Sequence, residues 1–218
     1  RGPTTARFQL SFKYRLFDRS LGWGRERPWL SGFYFGYTQT SFWNLSDESK
    51  PFRDASYRPS LFWRWQRTDD KTWIDELRAG LEHESNGKEG AESRSINILF
   101  VRPEWRWDFE NGKRLEFMPK LYGYLDKEEN PDIQRYRGYA DWRLRYGDKV
   151  RSWSAMARLG TAGKGSLTLD WFERTRESGI GPVSGYLHLQ FFAGYGEDIL
   201  DYNVRRKSQL RFGFAIVP

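Results

Sequence analysis

Residues 7–16 read RFQLSFKYRL, and apolar and polar side chains alternate strictly along this stretch. The even-numbered positions carry Phe, Leu, Phe, Tyr and Leu, and the odd-numbered positions carry Arg, Gln, Ser, Lys and Arg. Such a period of two predicts a β-strand with one apolar and one polar face. The same alternation returns along most of the chain and helical patterning is nearly absent, so the sequence predicts an all-β protein.

Turn residues divide the alternating segments into about eleven predicted strands. These strands cover residues 8–17, 32–43, 57–66, 73–83, 96–108, 113–125, 136–146, 151–160, 166–171, 185–195 and 206–217. Bacterial single-chain barrels normally have an even number of strands. We therefore expect a twelfth strand to precede Arg1.

The connections between the predicted strands alternate in length over most of the chain. Tight turns at 68–71, 110–113 and 147–149 are rich in Asp, Asn and Gly, the residues that hairpin turns favour. Longer polar loops lie between them at 44–56, 84–95 and 126–135. Since short turns and long loops occupy opposite rims of a transmembrane barrel, the three long loops are expected to share one rim.

Composition favours a barrel that spans a membrane with its strands. The 218 residues suit one domain, taken as 1–218, and 30% of them are charged, yet 18% are aromatic. No stretch approaches the ~18 to 20 apolar residues that a spanning helix needs. Barrel strands resolve this conflict because they alternate lipid-facing and lumen-facing residues and place aromatic residues at both membrane interfaces. The predicted fold is therefore a transmembrane antiparallel β-barrel with a polar lumen, formed as a single domain.

Two other classes share the strand pattern. A soluble β-barrel or sandwich also alternates, and a formal net charge of +7 would allow it to bind nucleic acid. The charges are spread singly and form no run, so a nucleic-acid partner is not expected. A passive porin has the same strands and needs no catalytic residues. The absence of cysteine excludes disulfides and thiolate chemistry.

Histidine is scarce, and this narrows the search for serine-type catalysis. The chain has only His83 and His188. His188 belongs to a polar row with Tyr186 and Gln190, where a structural hydrogen-bonding role is the favoured interpretation. His83 and Ser85 instead continue the apolar face of a predicted strand. Residues two apart on one face lie ~6.5 to 7 Å apart at Cα, from which an imidazole can reach a hydroxyl.

The spacing of His83 and Ser85 also allows a second interpretation. If strand pairing ends before His83, both are solvated loop residues, and spacing alone does not decide between this and catalysis. A base usually needs a third group that orients its ring, and an antiparallel return through 86–95 would bring Asn97 beside His83. The chain contains no Gly-x-Ser-x-Gly motif, which excludes an α/β-hydrolase at the motif level.

Several motifs resemble those of the outer membrane phospholipase A family. Residues 82–87 read EHESNG and residues 93–97 read SRSIN, similar to that family's His-x-Ser-Asn-Gly and Ser-Arg-Ser-x-Asn elements. Further similar stretches follow in the family's order from residue 8 to the C-terminus. They are Tyr37-Thr38-Gln39, Ser41-Phe42-Trp43, Pro51-Phe52-Arg53, Asn130-Pro131-Asp132-Ile133, Gly194-Tyr195-Gly196-Glu197 and Asp201-Tyr202-Asn203.

The resemblance implies a twelve-stranded barrel of the bacterial outer membrane that hydrolyses acyl esters of phospholipids and lysophospholipids. In such an enzyme Ser85 would be the nucleophile and His83 the general base. Asn97 would be the residue that orients His83.

The resemblance also implies a calcium ion that stabilises the oxyanion and a homodimer as the active form. The calcium ion would be held by the Ser93 side chain, the Lys88 carbonyl and Ser49 of the partner subunit. Gln39 would be the polar residue of the dimer interface within the membrane. The chain departs from the family at a second, weaker calcium site of the monomer, because Gly90 replaces an acidic residue and Glu129 an aspartate.

Overall fold

A computed structural model describes residues 5–45, 52–69, 71–176 and 184–216 of the chain. Short helices lie at α1 (Gly22–Glu26) and α2 (Gln134–Arg137), with 3-10 turns at Pro28–Gly32 and Gly90–Glu92. The strands are β1 (Thr5–Arg15), β2 (Phe33–Asn44), β3 (Phe52–Gln66), β4 (Glu76–Ser85), β5 (Ser95–Asp108), β6 (Arg114–Phe117), β7 (Lys120–Asp126), β8 (Ala140–Gly147), β9 (Arg151–Leu159), β10 (Gly165–Arg174), β11 (Tyr186–Gly194) and β12 (Arg206–Ala215). Within the ranges just given, no helix is both long enough and apolar enough to cross a membrane.

All these strands belong to one antiparallel sheet of 12 strands, in the order β1-β2-β3-β4-β5-β6-β8-β9-β10-β11-β12, with β7 paired with β5 and β8. The predicted segment 113–125 corresponds to two of them, β6 and β7, which pair with different parts of β5. Met118 and Pro119 separate the two strands, and a proline lacks the backbone N–H that a continuous ladder would use. The single predicted strand is therefore divided at this point.

The sheet curls until residues from its two ends meet inside it. The Arg211 guanidinium of β12 lies 5.9 Å from the centre of the Phe42 ring on β2. Arg53 of β3 forms an ion pair with Asp201, which lies between β11 and β12. Among the strand pairings of the described residues none joins β1 to β12. The expected strand before Arg1 lies outside the chain and stays a prediction.

The outward face carries the apolar row that alternation predicts. On β1 the side chains of Leu10 and Phe12 are 60% and 52% exposed, and on β12 that of Phe212 is 73% exposed. Large apolar side chains this exposed on one continuous face indicate a surface that contacts lipid.

The interior differs in part from the polar lumen that the sequence predicts. Ion pairs do occupy it, and the fully buried Glu76 accepts from Arg64, Arg78 and Arg106. A hydrophobic cluster lies beside these pairs. It contains Tyr34, Phe62, Ile96, Ile98, Phe100, Ile133, Tyr136, Ile199 and Tyr202. Residues 98–101 of β5 are apolar on both faces, so the alternation of polarity fails there.

Loops that follow the outer ends of the strands contact one another. Ser93, in the loop after β4, donates to Glu129 in the loop after β7 at 2.8 Å, and Asn130 donates to the Ser95 carbonyl at 2.6 Å. Tyr202, in the loop after β11, donates to Asp132. The long loops at 84–95 and 126–135 therefore share one rim as predicted, while much of the loop at 44–56 lies outside the described residues.

Candidate active site

The strand β4 continues through His83 and Ser85 to its end. Across the β4–β5 ladder His83 pairs with Asn97, and Ser85 pairs with Ser95. The alternative in which strand pairing ends before His83 is therefore wrong. Both side chains project from the outward face, in the same row as the exposed Leu81.

A short hydrogen bond joins His83 to Asn97. The distance between His83 Nδ1 and Asn97 Oδ1 is 2.8 Å. Because an amide oxygen can only accept, Nδ1 carries the proton and Nε2 is left with a free lone pair. This is the tautomer that a general base acting through Nε2 requires.

Ser85 and His83 lie on the same face of β4. Among the hydrogen bonds of the described residues, none joins their two side chains. Their positions two residues apart on one strand face put the Cα atoms ~6.5 to 7 Å apart. In enzymes without bound substrate, catalytic hydrogen bonds are often long and tighten only in the complex. The arrangement therefore suits a serine that a neighbouring histidine activates.

Asn86 organises the loop that follows Ser85. Its side chain is buried, its Oδ1 accepts from the backbone N–H groups of Lys88 and Arg94, and its Nδ2 donates to the Glu92 carbonyl. Gly87 has a φ of +67°, a conformation that side-chain-bearing residues rarely adopt. The Asn-Gly pair that resembled a family motif thus turns the chain immediately behind the serine.

Glu84 anchors the end of β4 from inside the barrel. Its carboxylate accepts from Arg137 Nη1 at 2.9 Å and from Ser56 Oγ at 3.0 Å. The side chains of Glu84 and Arg137 are only 5% and 4% exposed. Since Glu84 lies between His83 and Ser85 in the strand, this buried ion pair holds both outward residues in place.

Replacing Glu84 by Gln is expected to destabilise the barrel by about 3–5 kcal/mol, because it leaves the Arg137 guanidinium buried without its countercharge. Urea unfolding of the detergent-solubilised protein measures this. Glu110→Gln, at an exposed turn on the opposite rim, is the matched control and should change stability by less than about 0.5 kcal/mol. Equal unfolding midpoints for the two variants would show that the ion pair contributes nothing.

Two of the predicted calcium ligands lie in the loops beside this site. Ser93 Oγ donates to Glu129 Oε1 at 2.8 Å, and Lys88 Nζ donates to Glu92 at 2.8 Å, which lowers the pKa of the Glu92 carboxyl. Ser49 lies outside the described residues. Within the described ranges no group of three or more His, Cys, Asp or Glu side chains could hold a metal ion. The calcium ligands expected from the sequence therefore stay a prediction.

Gln39 shares a row of the sheet with the candidate nucleophile. It pairs with Leu10 of β1 and with Tyr57 of β3, and Tyr57 pairs in turn with Ser85. Tyr37 donates to Gln39 Oε1 at 3.1 Å, and Gln39 Nε2 donates to Ser41 at 3.3 Å. The predicted interface residue therefore lies on the outward face, two strands from Ser85.

His188 occupies a different environment inside the barrel. Its Nε2 lies 2.8 Å from Asp170 Oδ1. Its ring stacks on that of Phe172, with 4.4 Å between the two ring centres. Gln190 donates to the same Asp170 oxygen. These contacts agree with the structural hydrogen-bonding role favoured for His188.

Sequence reasoning missed one side chain that touches the site. Asn97 Nδ2 donates to Asp126 Oδ2 at 3.3 Å. Asp126 ends β7, and the register of the β5–β7 ladder shifts between Asn97 and Ile98. Because a bulge of this kind breaks the regular alternation, the sequence pattern could not place Asp126 beside Asn97.

The chain is similar to known proteins over nearly its whole length. A family model described as Phospholipase A1 matches residues 2–216. Phospholipase A1 of Escherichia coli strain K12 is 33% identical over 221 residues, covering 97% of this chain and 68% of that protein. The putative phospholipase A1 of Neisseria meningitidis serogroup B is 31% identical over 212 residues, covering 90% of this chain and 50% of that protein.

Two solved structures are similar to the fold described above. Outer membrane phospholipase A from Escherichia coli has a TM-score of 0.74 and 28% identity, covering 96% of this chain and 76% of that chain. The outer membrane phospholipase dimer of Salmonella typhi with bound calcium has a TM-score of 0.77 and 27% identity, covering 97% and 78%. The predicted β-barrel fold is confirmed.

Proposed function

The chain belongs to the phospholipase A1 family, and from this premise we propose that it hydrolyses acyl ester bonds of membrane phospholipids with Ser85, His83 and Asn97. Family membership confirms the expected outer-membrane location and an enzymatic role. Family membership also excludes the two other classes that share the strand pattern, the soluble barrel and the passive porin. The observation that carries the residue assignment is the 2.8 Å contact between His83 Nδ1 and Asn97 Oδ1 beside Ser85.

The reaction begins with proton transfer from Ser85 Oγ to His83 Nε2 while Ser85 Oγ attacks the ester carbonyl carbon. Asn97 keeps the imidazole in the Nδ1–H tautomer and in the ring orientation that this transfer needs. The tetrahedral intermediate collapses when His83 returns the proton to the leaving alcohol, and an acyl-Ser85 ester remains. A water molecule, deprotonated by His83, then attacks this ester, and His83 returns the proton to Ser85 Oγ as the fatty acid leaves.

The outward position of the site determines how substrate arrives. Leu81 and Leu99 flank His83 and Asn97 on the outward face and are 49% and 52% exposed. A phospholipid can therefore approach Ser85 laterally within the membrane, with its acyl chains along this apolar surface. Because the site is open at the barrel surface, we expect hydrolysis at both acyl positions and of lysophospholipids as well.

Calcium binding is supported by the donor chemistry of the loop after β4. The Ser93 hydroxyl and the Lys88 carbonyl are the hard oxygen donors that calcium prefers, and they are too few to complete its coordination. Ser49 of the partner subunit would supply a further hydroxyl. A calcium ion held there would add positive charge next to the oxyanion of the intermediate. The Salmonella typhi relative was solved as a dimer with bound calcium.

We propose that the active form is a homodimer whose interface includes Gln39. The cross-strand row that joins Gln39, Tyr57 and Ser85 supports an interface beside the site. The outward face of β1 exposes the large side chains of Phe8, Leu10, Phe12 and Tyr14, which a second copy can cover. A dimer would form both a substrate cleft and the shared calcium site, so a lone subunit would be inactive.

Fatty acid release from a diacyl phospholipid in mixed micelles tests the proposed function. Mass spectrometry should detect free fatty acid together with lysophospholipid first, and the deacylated glycerophosphodiester later in the reaction. A folded preparation that conducts ions in a bilayer but releases no fatty acid with calcium present would contradict the proposal.

Chelation is expected to lower activity by about 10²- to 10³-fold, the usual cost of losing one electrostatic stabiliser of an oxyanion. The rate of fatty acid release in excess EDTA is the measurement. Added Ca²⁺ should restore it, whereas Mg²⁺ should not, because Mg²⁺ is smaller and retains its water ligands. Full activity in excess EDTA would remove calcium from the proposed mechanism.

A further inference from the structure

Asp126 lies behind Asn97, on the side away from His83. It is the residue of β7 that pairs with Asn97 across the β5–β7 ladder, where the register shifts by a bulge. Asn97 uses both ends of its amide: Oδ1 lies 2.8 Å from His83 Nδ1, and Nδ2 donates to Asp126 Oδ2 at 3.3 Å. A continuous row of hydrogen bonds therefore runs from the imidazole to a carboxylate.

The chain after β7 holds the Asp126 carboxylate in this direction. Its Oδ1 accepts from the backbone N–H of Glu128 at 3.1 Å, a local turn in which an Asp side chain bonds two residues ahead. One oxygen is engaged by the backbone and the other faces Asn97. Both oxygens of this carboxylate are therefore engaged by groups of the protein itself.

We propose that Asp126 is a positioning residue of the catalytic site, which orients the Asn97 amide and adds a negative charge behind His83. The inference rests on the proposed function, since it assigns a role toward the same Ser85 and His83. It adds a fourth member, joined through Asn97, to the set that family resemblance implies.

Orientation is the first physical effect. The two ends of an Asn amide have nearly the same shape, so shape alone does not select which end faces His83. An ionised carboxylate only accepts hydrogen bonds, so it attracts Nδ2 and repels Oδ1. Asp126 thus selects the rotamer in which Asn97 Oδ1 faces His83, and through it the tautomer that leaves Nε2 free to act on Ser85.

Charge is the second effect. A neutral Asn stabilises the imidazolium formed during the reaction less than an Asp would, and a carboxylate one hydrogen bond further on restores part of that stabilisation. Two titratable residues pair with this row across the sheet: Tyr57 of β3 pairs with Ser85, and Asp126 of β7 pairs with Asn97. Removing the negative charge of Asp126 therefore disfavours the imidazolium that forms during the reaction.

Kinetics of three purified full-length variants on a micellar phospholipid, with calcium present, separate the two effects. Asp126→Ala removes both orientation and charge, whereas Asp126→Asn keeps a hydrogen-bond acceptor and removes the charge. Glu128→Gln is the matched control, because it removes a charge of the same sign two residues away.

For Asp126→Ala we expect kcat to fall about 10-fold with KM within about 2-fold, and Asp126→Asn should lie between it and the wild type. In both variants the acid limb of the kcat/KM profile should move to lower pH by about 0.5 unit, while Glu128→Gln leaves it in place. A purely structural role would slow the reaction without moving this limb.

A double variant tests whether Asp126 acts through Asn97. In an Asn97→Ala background, Asp126→Ala should have no further effect on kcat, whereas a second full 10-fold loss would overturn the proposal. It would also be overturned if Asp126→Ala, folded by circular dichroism, matched Glu128→Gln in kcat and pH profile. Failure of the proposed function is distinct, because it would appear as no fatty acid release by the wild type or as full activity in Ser85→Ala.

Discussion

Ser85→Ala is expected to lower phospholipid hydrolysis by at least about 10³-fold and to leave the barrel folded, because it removes the atom that forms the acyl-enzyme. Ser85 lies at the end of β4 on the outward face, so its hydroxyl is not needed for packing. The rate of fatty acid release, with circular dichroism as the folding check, measures the effect.

The matched control for this variant is Ser95→Ala. Ser95 pairs with Ser85 across the β4–β5 ladder and shares its face. The Ser95→Ala variant therefore tests whether the loss of any hydroxyl at this place lowers the activity. Its activity should stay within about 3-fold of the wild type, as for a residue outside the chemistry. Equal activities for the two serine variants would remove Ser85 from the mechanism.

His83→Ala is expected to reduce the rate by a similar factor, at least about 10³-fold, since the serine then has no base. Combining it with Ser85→Ala should cause little further loss, because residues that act as one unit are not additive. The rates of fatty acid release of the two single variants and of the double variant measure this.

His188→Gln is the control for His83→Ala, because it changes the other histidine and keeps a hydrogen-bond donor toward Asp170. It should retain most of the activity. Loss of activity in His188→Gln together with normal activity in His83→Ala would reverse the assignment of the base.

Local polarity predicted the strands well where one face meets lipid and the other meets the interior. Residues 7–16 are such a case, and β1 follows their alternation. The pattern is weaker where interior packing takes over, as on β5, whose inward Ile96, Ile98 and Phe100 join a hydrophobic cluster. The structure divides the predicted strand at 113–125 into β6 and β7. Alternation could not predict this division, because it takes no account of the missing N–H of Pro119.

The candidate site was predictable where it depends on neighbours in one strand and on a simple antiparallel return. His83, Ser85 and Asn97 meet these conditions, and the register brings His83 opposite Asn97 as expected. Asp126 does not, because it reaches Asn97 through a bulge between strands. The buried pair of Glu84 and Arg137 joins residues 53 positions apart, a separation that no local pattern encodes.

Labelling with a serine-reactive fluorophosphonate tests the central claim most directly, because the probe reacts only with a serine that a base has activated. Peptide mapping by mass spectrometry should find one adduct, on Ser85, and the adduct should be lost in His83→Ala and kept in His188→Gln. An adduct on another serine, or an active preparation that hydrolyses phospholipid and takes up no label, would contradict the assignment of Ser85 as the nucleophile.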